Sequence, residues 1–249
     1  MRCSLAFFVI GWALLGAGWM TADAQTPSPD DRLYYATDRQ ATVYAAPDSS
    51  RPYLRLQFRE PVHRLGQDDN WCHIRTEDGA KGHVACSAIS NVWIRVSKQD
   101  RQVYLYEGTR LVKSVRADFG YNAFADKERR GSESNRDHWR TPEGAFYVVA
   151  KNPNSKFYKA LVLNYPTRED AERGLRQGLI SSSEHRAIVE AHRQRQMPPM
   201  NTALGGWIEI HGDGTGGGTN WTQGCVAIRN DDIDNLWQWA EVGTPVIIE

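Results

Sequence analysis

The sequence predicts a mainly β protein: a small barrel, then a β-sandwich with a helical insertion. Short apolar–polar alternations recur at close spacing from residue 34 to residue 149, separated by clusters of Gly, Pro, Asp and Asn. Helical periodicity is confined to residues 167–198 and 231–241. The sequence shows no heptads, internal repeats or low-complexity tracts, so nothing in it suggests a coiled coil or a repeat array. Its 249 residues suffice for two modest domains. Lys plus Arg and Asp plus Glu each number 30, a balance that argues against a nucleic-acid partner, whose phosphates demand a basic surface. The 9 Trp suit both a β core and surfaces that bind sugar or peptide.

Residues 1–24 have the pattern of a signal peptide. Arg2 precedes an apolar run over residues 5–20, and Ala22-Asp23-Ala24 supplies a small-x-small cleavage site. The run is short and glycine-containing, and no stop-transfer pattern follows it, which favours cleavage over an uncleaved anchor. Cys3 lies before the run, the wrong side for a lipoprotein. The expectation is an exported, periplasmic chain that begins near Gln25 and keeps no stable membrane anchor.

Residues 33–90 form the barrel of this reading. Strand patterns fall at Thr42-Val43-Tyr44, Leu54-Arg55-Leu56 and residues 61–65, 71–75 and 82–84, with turns at Pro47-Asp48-Ser49-Ser50 and Gln67-Asp68-Asp69-Asn70. Through Val43-Tyr44-Ala45-Ala46-Pro47, Trp71-Cys72-His73-Ile74 and Gly82-His83-Val84 the segment resembles the SH3-like domains appended to bacterial cell-wall enzymes. Its aromatics serve equally well as core, so no ligand site is assigned there. Cys72 and Cys86 lie on the two arms of a hairpin around Glu77-Asp78-Gly79-Ala80, within disulfide reach. Two small buried apolar side chains are the alternative. Either way Cys225 is left over, and an unpaired cysteine in an exported protein signals reactivity.

Residues 92–249 form the second domain. Residues 92–96 and 102–106 alternate as a hairpin around Lys98-Gln99-Asp100, and residues 111–119 continue the pattern. The charged stretch 126–137 reads as a mobile loop. Arg140-Thr141-Pro142-Glu143-Gly144 leads into the apolar strand 145–149. One helix covers 169–176 and stops at Gly178. A second starts at the capping box of Ser181 and Glu184 and runs to about Gln196, before Pro198-Pro199. Its apolar face of Ala187, Ile188 and Ala191 is thin, which places it on the surface. His185 and His192 share a face without an acidic or thiolate companion, so no metal is assigned. The last helix spans 231–241, capped by Asn230, with Ile233, Leu236, Trp237 and Ala240 inward.

The chemistry concentrates in His211-Gly212 and, beyond a glycine-rich stretch, Trp221-Thr222-Gln223-Gly224-Cys225. The thiolate is the reactive form of cysteine, and a neighbouring imidazole generates it near neutral pH. Cys225 is therefore the candidate nucleophile and His211 its base, the ring oriented by the carbonyl of Gly212. Gly224 and Cys225 would offer backbone N–H groups to an oxyanion. The stretch Gly212-Asp213-Gly214-Thr215-Gly216-Gly217-Gly218-Thr219 reads as the rim admitting substrate. A phosphate loop is excluded because no Gly-Lys-Ser/Thr follows.

Over residues 92–249 the chain resembles the YkuD-type L,D-transpeptidases. The matching pieces are Arg140-Thr141-Pro142-Glu143-Gly144, Lys151-Asn152, Asn164-Tyr165-Pro166, Leu204-Gly205-Gly206, Ile208-Glu209-Ile210-His211-Gly212, Thr222-x-Gly224-Cys225-Val226 and Val242-Gly243-Thr244-Pro245-Val246, in the family's order. The resemblance implies a β-sandwich catalytic domain whose cysteine attacks an acyl donor in the peptidoglycan stem peptide and passes the acyl group to an amine. No cofactor or metal is implied. Two departures stand out. Gln223 occupies a position where many members have histidine, and Ala227 stands where the common branch has Arg or Asn; Arg229 is then the candidate to grip the substrate carboxylate. Trp221, Thr222 and Gln223 are the other candidate substrate contacts, Trp221 being equally suited to anchor its loop.

The sequence leaves other readings open. The same dyad serves a hydrolase, either an L,D-carboxypeptidase or an amidase releasing a wall-tethered protein. A non-catalytic wall-binding protein is a third reading. A papain-like hydrolase is excluded within this domain because its cysteine precedes its histidine, and no histidine follows Cys225.

Overall fold

The computed structural model describes residues 32–249; the expected signal peptide, residues 1–24, lies outside them. Strands β1 (Arg32–Ala36), β2 (Thr42–Tyr44), β3 (Pro52–Arg55), β4 (Pro61–Asp68), β5 (Trp71–Thr76), β6 (Lys81–Ala85) and β7 (Ile89–Ser90) form one antiparallel sheet ordered β3-β2-β6-β5-β4-β1-β7. Alternation sets its faces: along β5, Cys72, Ile74 and Thr76 turn inward, and the residues between them are partly exposed. Val43, Leu56, Val62, Ile74 and Val84 form a core separate from that of the rest of the chain. The third strand begins at Pro52, and Leu56, expected inside it, packs just beyond its end.

Cys72 sits opposite Val84 across β5 and β6. Cys86, two residues on, meets it diagonally; the two are disulfide-bonded with their Cα atoms 5.0 Å apart. A bridge closing so short a loop contributes about 3 kcal/mol by restricting the unfolded chain. Cys225 is the free thiol among the described residues. The mature protein, denatured without reductant, should therefore take up a single thiol-specific label. Two or three labels in a mass spectrum would mean that the bridge does not form in solution.

Strands β8 (Val92–Ser97), β9 (Gln102–Glu107), β10 (Arg110–Arg116), β11 (Phe119–Gly120), β12 (Gly144–Ser155) and β13 (Tyr158–Leu163) are followed by helices α1 (Arg168–Arg176) and α2 (Ser182–Arg193). Then come β14 (Glu209–His211), β15 (Asn220–Thr222), β16 (Val226–Ala227), helix α3 (Asn230–Trp239) and β17 (Pro245–Ile248). The strand order β10-β9-β8-β17-β12-β13-β14-β16 folds into a sandwich through β12. Its first residues, Gly144 to Tyr147, pair with β17, and its later ones pair with β13. The two layers close on Ile94, Leu105, Phe146, Leu161, Ile210 and Val226, and α3 adds Ile233 and Leu236 to the same core. Each such side chain, fully buried, contributes roughly 1.5–3 kcal/mol. The outer layer thereby holds β14 and β16, and with them His211 and Cys225, against a rigid support.

Several helix details differ from the sequence reading. Helix α1 starts one residue earlier, at a capping box of Thr167 and Asp170. Helix α2 has the expected Ser181–Glu184 box but ends at Arg193, and its thin face is enough: Ile188 is fully buried with Ala171, Ile180 and Leu204 in a small core of their own. The cap position of α3 is Arg229 rather than Asn230, because the Asn230 carboxamide is taken by Asp213, accepting from its N–H at 2.7 Å. Residues 127–131 are tied to the rest of the domain, whereas residues 132–137 are exposed as expected of a loop. The Arg130 N–H donates to Ala203 at 2.8 Å, Arg173 of α1 donates to the Lys127 carbonyl at 3.0 Å, and Lys127 itself is only 3% exposed. A lysine can do this because its long aliphatic stem packs like an apolar side chain. Among the described residues no helix is long and apolar enough to cross a membrane.

Candidate active site

Register brings the two candidate residues together. Strands β14 and β16 are parallel neighbours, pairing Ile210 with Val226 and His211 with Ala227. One step back along both strands, Cys225 falls beside Glu209, roughly a strand spacing of 4.8 Å away. Residues two apart share a face, so Cys225, Glu209 and His211 point to the same side. All three line one cavity of about 740 Å³.

His211 is 1% exposed and held from several sides. Its Nδ1 lies 2.7 Å from the Gly212 carbonyl oxygen. A carbonyl can only accept, so Nδ1 carries the proton and Nε2 keeps its lone pair. Phe157 stacks on the ring at 4.4 Å, and Trp221 meets it edge-on at 6.2 Å. Burial under these rings lowers the imidazole pKa below its ordinary value, which keeps it neutral and ready to accept a proton. Gly212 must be glycine: a Cβ there would lie 2.5 Å from Asn230 Oδ1 and 2.8 Å from the Phe157 carbonyl.

The Cys225 thiol donates to the Trp207 carbonyl at 3.3 Å. Burial, with the Glu209 carboxylate adding to it, pushes this thiol up to about 12. The resting site is thus a neutral thiol and a neutral imidazole, not a preformed ion pair. A simple alkylating reagent should label native Cys225 slowly at pH 7, its rate rising about tenfold per pH unit with no plateau below pH 10. A plateau at neutral pH in a stopped labelling series would instead show a thiolate already paired with His211.

The turn before Cys225 is built by Thr222. Its hydroxyl accepts from the Gly224 N–H at 3.1 Å and donates to the Cys225 carbonyl at 2.7 Å, which holds the loop, and Thr222 also lines the cavity. Gly224 has φ of +130°, and a Cβ would lie 2.5 Å from the Arg140 carbonyl. That close approach, rather than room for a substrate, is what demands glycine, and the Arg140-Thr141-Pro142 segment is what it approaches. With the Gly224 N–H engaged, the Cys225 N–H is the main-chain donor left to an oxyanion. Gln223 is exposed and lines the cavity.

Trp221 lines the cavity too, 38% exposed, with its indole N–H on Asp118 at 3.0 Å. Asp118 is fully buried and also accepts from Thr215 and Thr219, which explains the glycine-rich stretch. Those residues wrap the Asp118 carboxylate, and Gly214 packs on the backbone of Ala227 and Ile228. Residues 213–219 do not line the cavity, so they are not its rim. Arg229 is likewise not among the lining residues; it pairs with Asp232 at 3.1 Å beside Gly216.

The rim comes from unexpected places: Lys127, Arg130 and Trp139, Lys156 and Phe157 after β12, and Asn201, Gly205, Gly206 and Trp207 after α2. The helical insertion therefore contributes its exit segment, not its helices. Lys127, Arg130, Lys156 and Glu209 were missed from sequence because nothing in a charged stretch or a short strand marks which side chains turn toward a distant cysteine. Among the described residues, no group of three or more His, Cys, Asp or Glu is placed to hold a metal ion.

The profile of the YkuD family, described as the L,D-transpeptidase catalytic domain, matches residues 91–248. No curated protein matches the chain in sequence. Similar solved structures include an L,D-transpeptidase of Xylanimonas cellulosilytica, 14% identical, with 64% of this chain and 61% of that chain covered and a TM-score of 0.38. The Bd1075 protein of Bdellovibrio bacteriovorus is 23% identical, with 64% and 48% covered and a TM-score of 0.39. An L,D-transpeptidase of Mycobacterium smegmatis is 15% identical, with 88% and 82% covered and a TM-score of 0.37. The chain thus spans less than two thirds of the length of the first two.

Proposed function

Because the chain belongs to the YkuD family of L,D-transpeptidase catalytic domains, we propose that it is a peptidoglycan L,D-transpeptidase that acts through a thioester on Cys225. The observation that carries this reading is the shared cavity in which Cys225 meets a histidine whose Nδ1 is tied to a backbone carbonyl. As a donor carbonyl enters, the thiol leaves the Trp207 carbonyl and passes its proton to His211 Nε2. Sulfur adds to the carbonyl carbon, and the Cys225 N–H stabilises the oxyanion. Collapse of the adduct expels the leaving amine, which takes the proton from His211, and a thioester remains. An acceptor amine then attacks the thioester, giving its proton to His211, and the thiolate departs to recover that proton. Water in place of the amine would make the same site an L,D-carboxypeptidase or an amidase.

The stem peptide is the donor of this proposal, an amine in the wall or on a tethered protein the acceptor, and the periplasm its compartment. The segment 33–90 is read as an SH3-like module of the same wall enzyme. Incubating the mature protein with peptidoglycan fragments, with and without an added amine, tests the reaction type by mass spectrometry. Transpeptidation predicts a new amide containing the added amine at the expense of hydrolysed peptide. Hydrolysed product alone, unchanged by the amine, would replace the transferase reading with the hydrolase.

A further inference from the structure

Arg229, the cation expected to meet the substrate carboxylate, lies outside the cavity. A different cation lines it. Lys127 is 3% exposed, and its Nζ donates to the His138 carbonyl at 3.3 Å and to the Gln223 carbonyl at 3.4 Å, two residues before the nucleophile. Both bonds are long, and among the described residues no carboxylate oxygen forms an ion pair with it. An ammonium removed from water without a counterion is costly, and a strongly perturbed titratable group in a cleft is a functional-site candidate. The segment is held in place: Arg173 donates to its carbonyl at 3.0 Å, and Gly205, whose Cβ would lie 3.1 Å from Lys127 Cε, leaves room for the side chain. Arg130 and Lys156 add two further cations to the cavity lining, against the one acid, Glu209.

We propose that Lys127 is the carboxylate-binding residue of this site, its buried ammonium receiving a free carboxylate of the acyl donor beside Cys225. The inference rests on the stem-peptide reading above and adds to it which part of the donor is recognised. The donor's carboxylate supplies the missing counterion, and its bond to Lys127 holds the scissile carbonyl near the Cys225 N–H. Burial lowers the ammonium pKa to about 8. Arg130 and Arg140 push in the same direction, while Cys225 and Asp170 oppose them. The cation is therefore present below about pH 8 and lost above it. Carboxylate recognition must fade in the same direction.

The test compares three stem peptides: all carboxyls free, the terminal carboxyl amidated, and the internal carboxyls amidated. Acyl-enzyme formation on the mature protein is followed by intact mass. The wild type should prefer the free acid by about 10–100-fold, the size of one charge-assisted bond. Whichever amidation removes the preference identifies the carboxylate. Lys127→Met should lose the preference, read as the ratio of rates on free acid and amide, with a melting curve as the control for a folded protein. Lys127→Arg should restore it in part. The wild type alone, between pH 6.5 and pH 9.5, should lose the preference without any substitution. A Lys127→Met protein that slows on all three peptides alike, or a preference unchanged by pH, would overturn the assignment and leave the transpeptidase reading standing. Absence of any acyl-enzyme in the wild type would instead overturn that reading and this one together.

Discussion

Carbapenem treatment should add one adduct to the mature protein, on Cys225, and Cys225→Ser should take none. The β-lactam is a strained acyl donor, so it needs only the nucleophile, the base and an oxyanion donor, not the amine acceptor. Serine fails here for a specific reason. A hydroxyl is far less acidic than a thiol, and enzymes that use one place a carboxylate behind the histidine to stabilise the imidazolium. Behind His211 there is the Gly212 carbonyl instead, at 2.7 Å. That contact orients the ring and fixes its tautomer but brings no full negative charge. An adduct persisting in Cys225→Ser, located by peptide mapping, would mean that the nucleophile is another residue.

His211→Ala should slow adduct formation by roughly two to four orders of magnitude, the usual worth of a positioned general base. The effect should sit at the upper end because Cys225 starts as a neutral thiol pushed up to about 12. Without a proton acceptor, attack depends on the trace of thiolate present, and the rate on carbapenem should climb with pH up to at least pH 10. The wild-type profile should flatten once the imidazole is neutral. Loss of the ring leaves a gap beside Phe157 and Trp221, so a melting curve must accompany the kinetics. Equal rates in wild type and His211→Ala would remove the base from the mechanism.

The parts of this site legible in sequence were those fixed by local chemistry. Alternation located most strands, Ser181 with Glu184 announced α2, and the His-Gly and Gly-Cys pairs marked two residues that line one cavity. A carbonyl on Nδ1 was also foreseeable, because Gly212 follows His211 directly. What could not be read were the long-range contacts. Residues 126–137 look like solvated loop by composition, yet Lys127 is buried and reaches Gln223, 96 positions away. Thr222 lines the cavity, and nothing in the sequence announced that its hydroxyl also holds the turn before Cys225. Asp118 gave no sign that it would gather Thr215, Thr219 and Trp221 around one carboxylate. Arg229 fell outside the cavity because β16 ends before it and the chain turns there into α3.

Direct observation of the intermediate tests the central claim. The mature protein, mixed with a stem peptide and quenched in acid, should gain the mass of the donor less its leaving group. Digestion should place that mass on the peptide containing Cys225, and hydroxylamine should remove it, as it does a thioester. A wild-type protein that turns over the stem peptide with no acyl mass on Cys225 at any time, or with one that hydroxylamine leaves intact, would contradict the account.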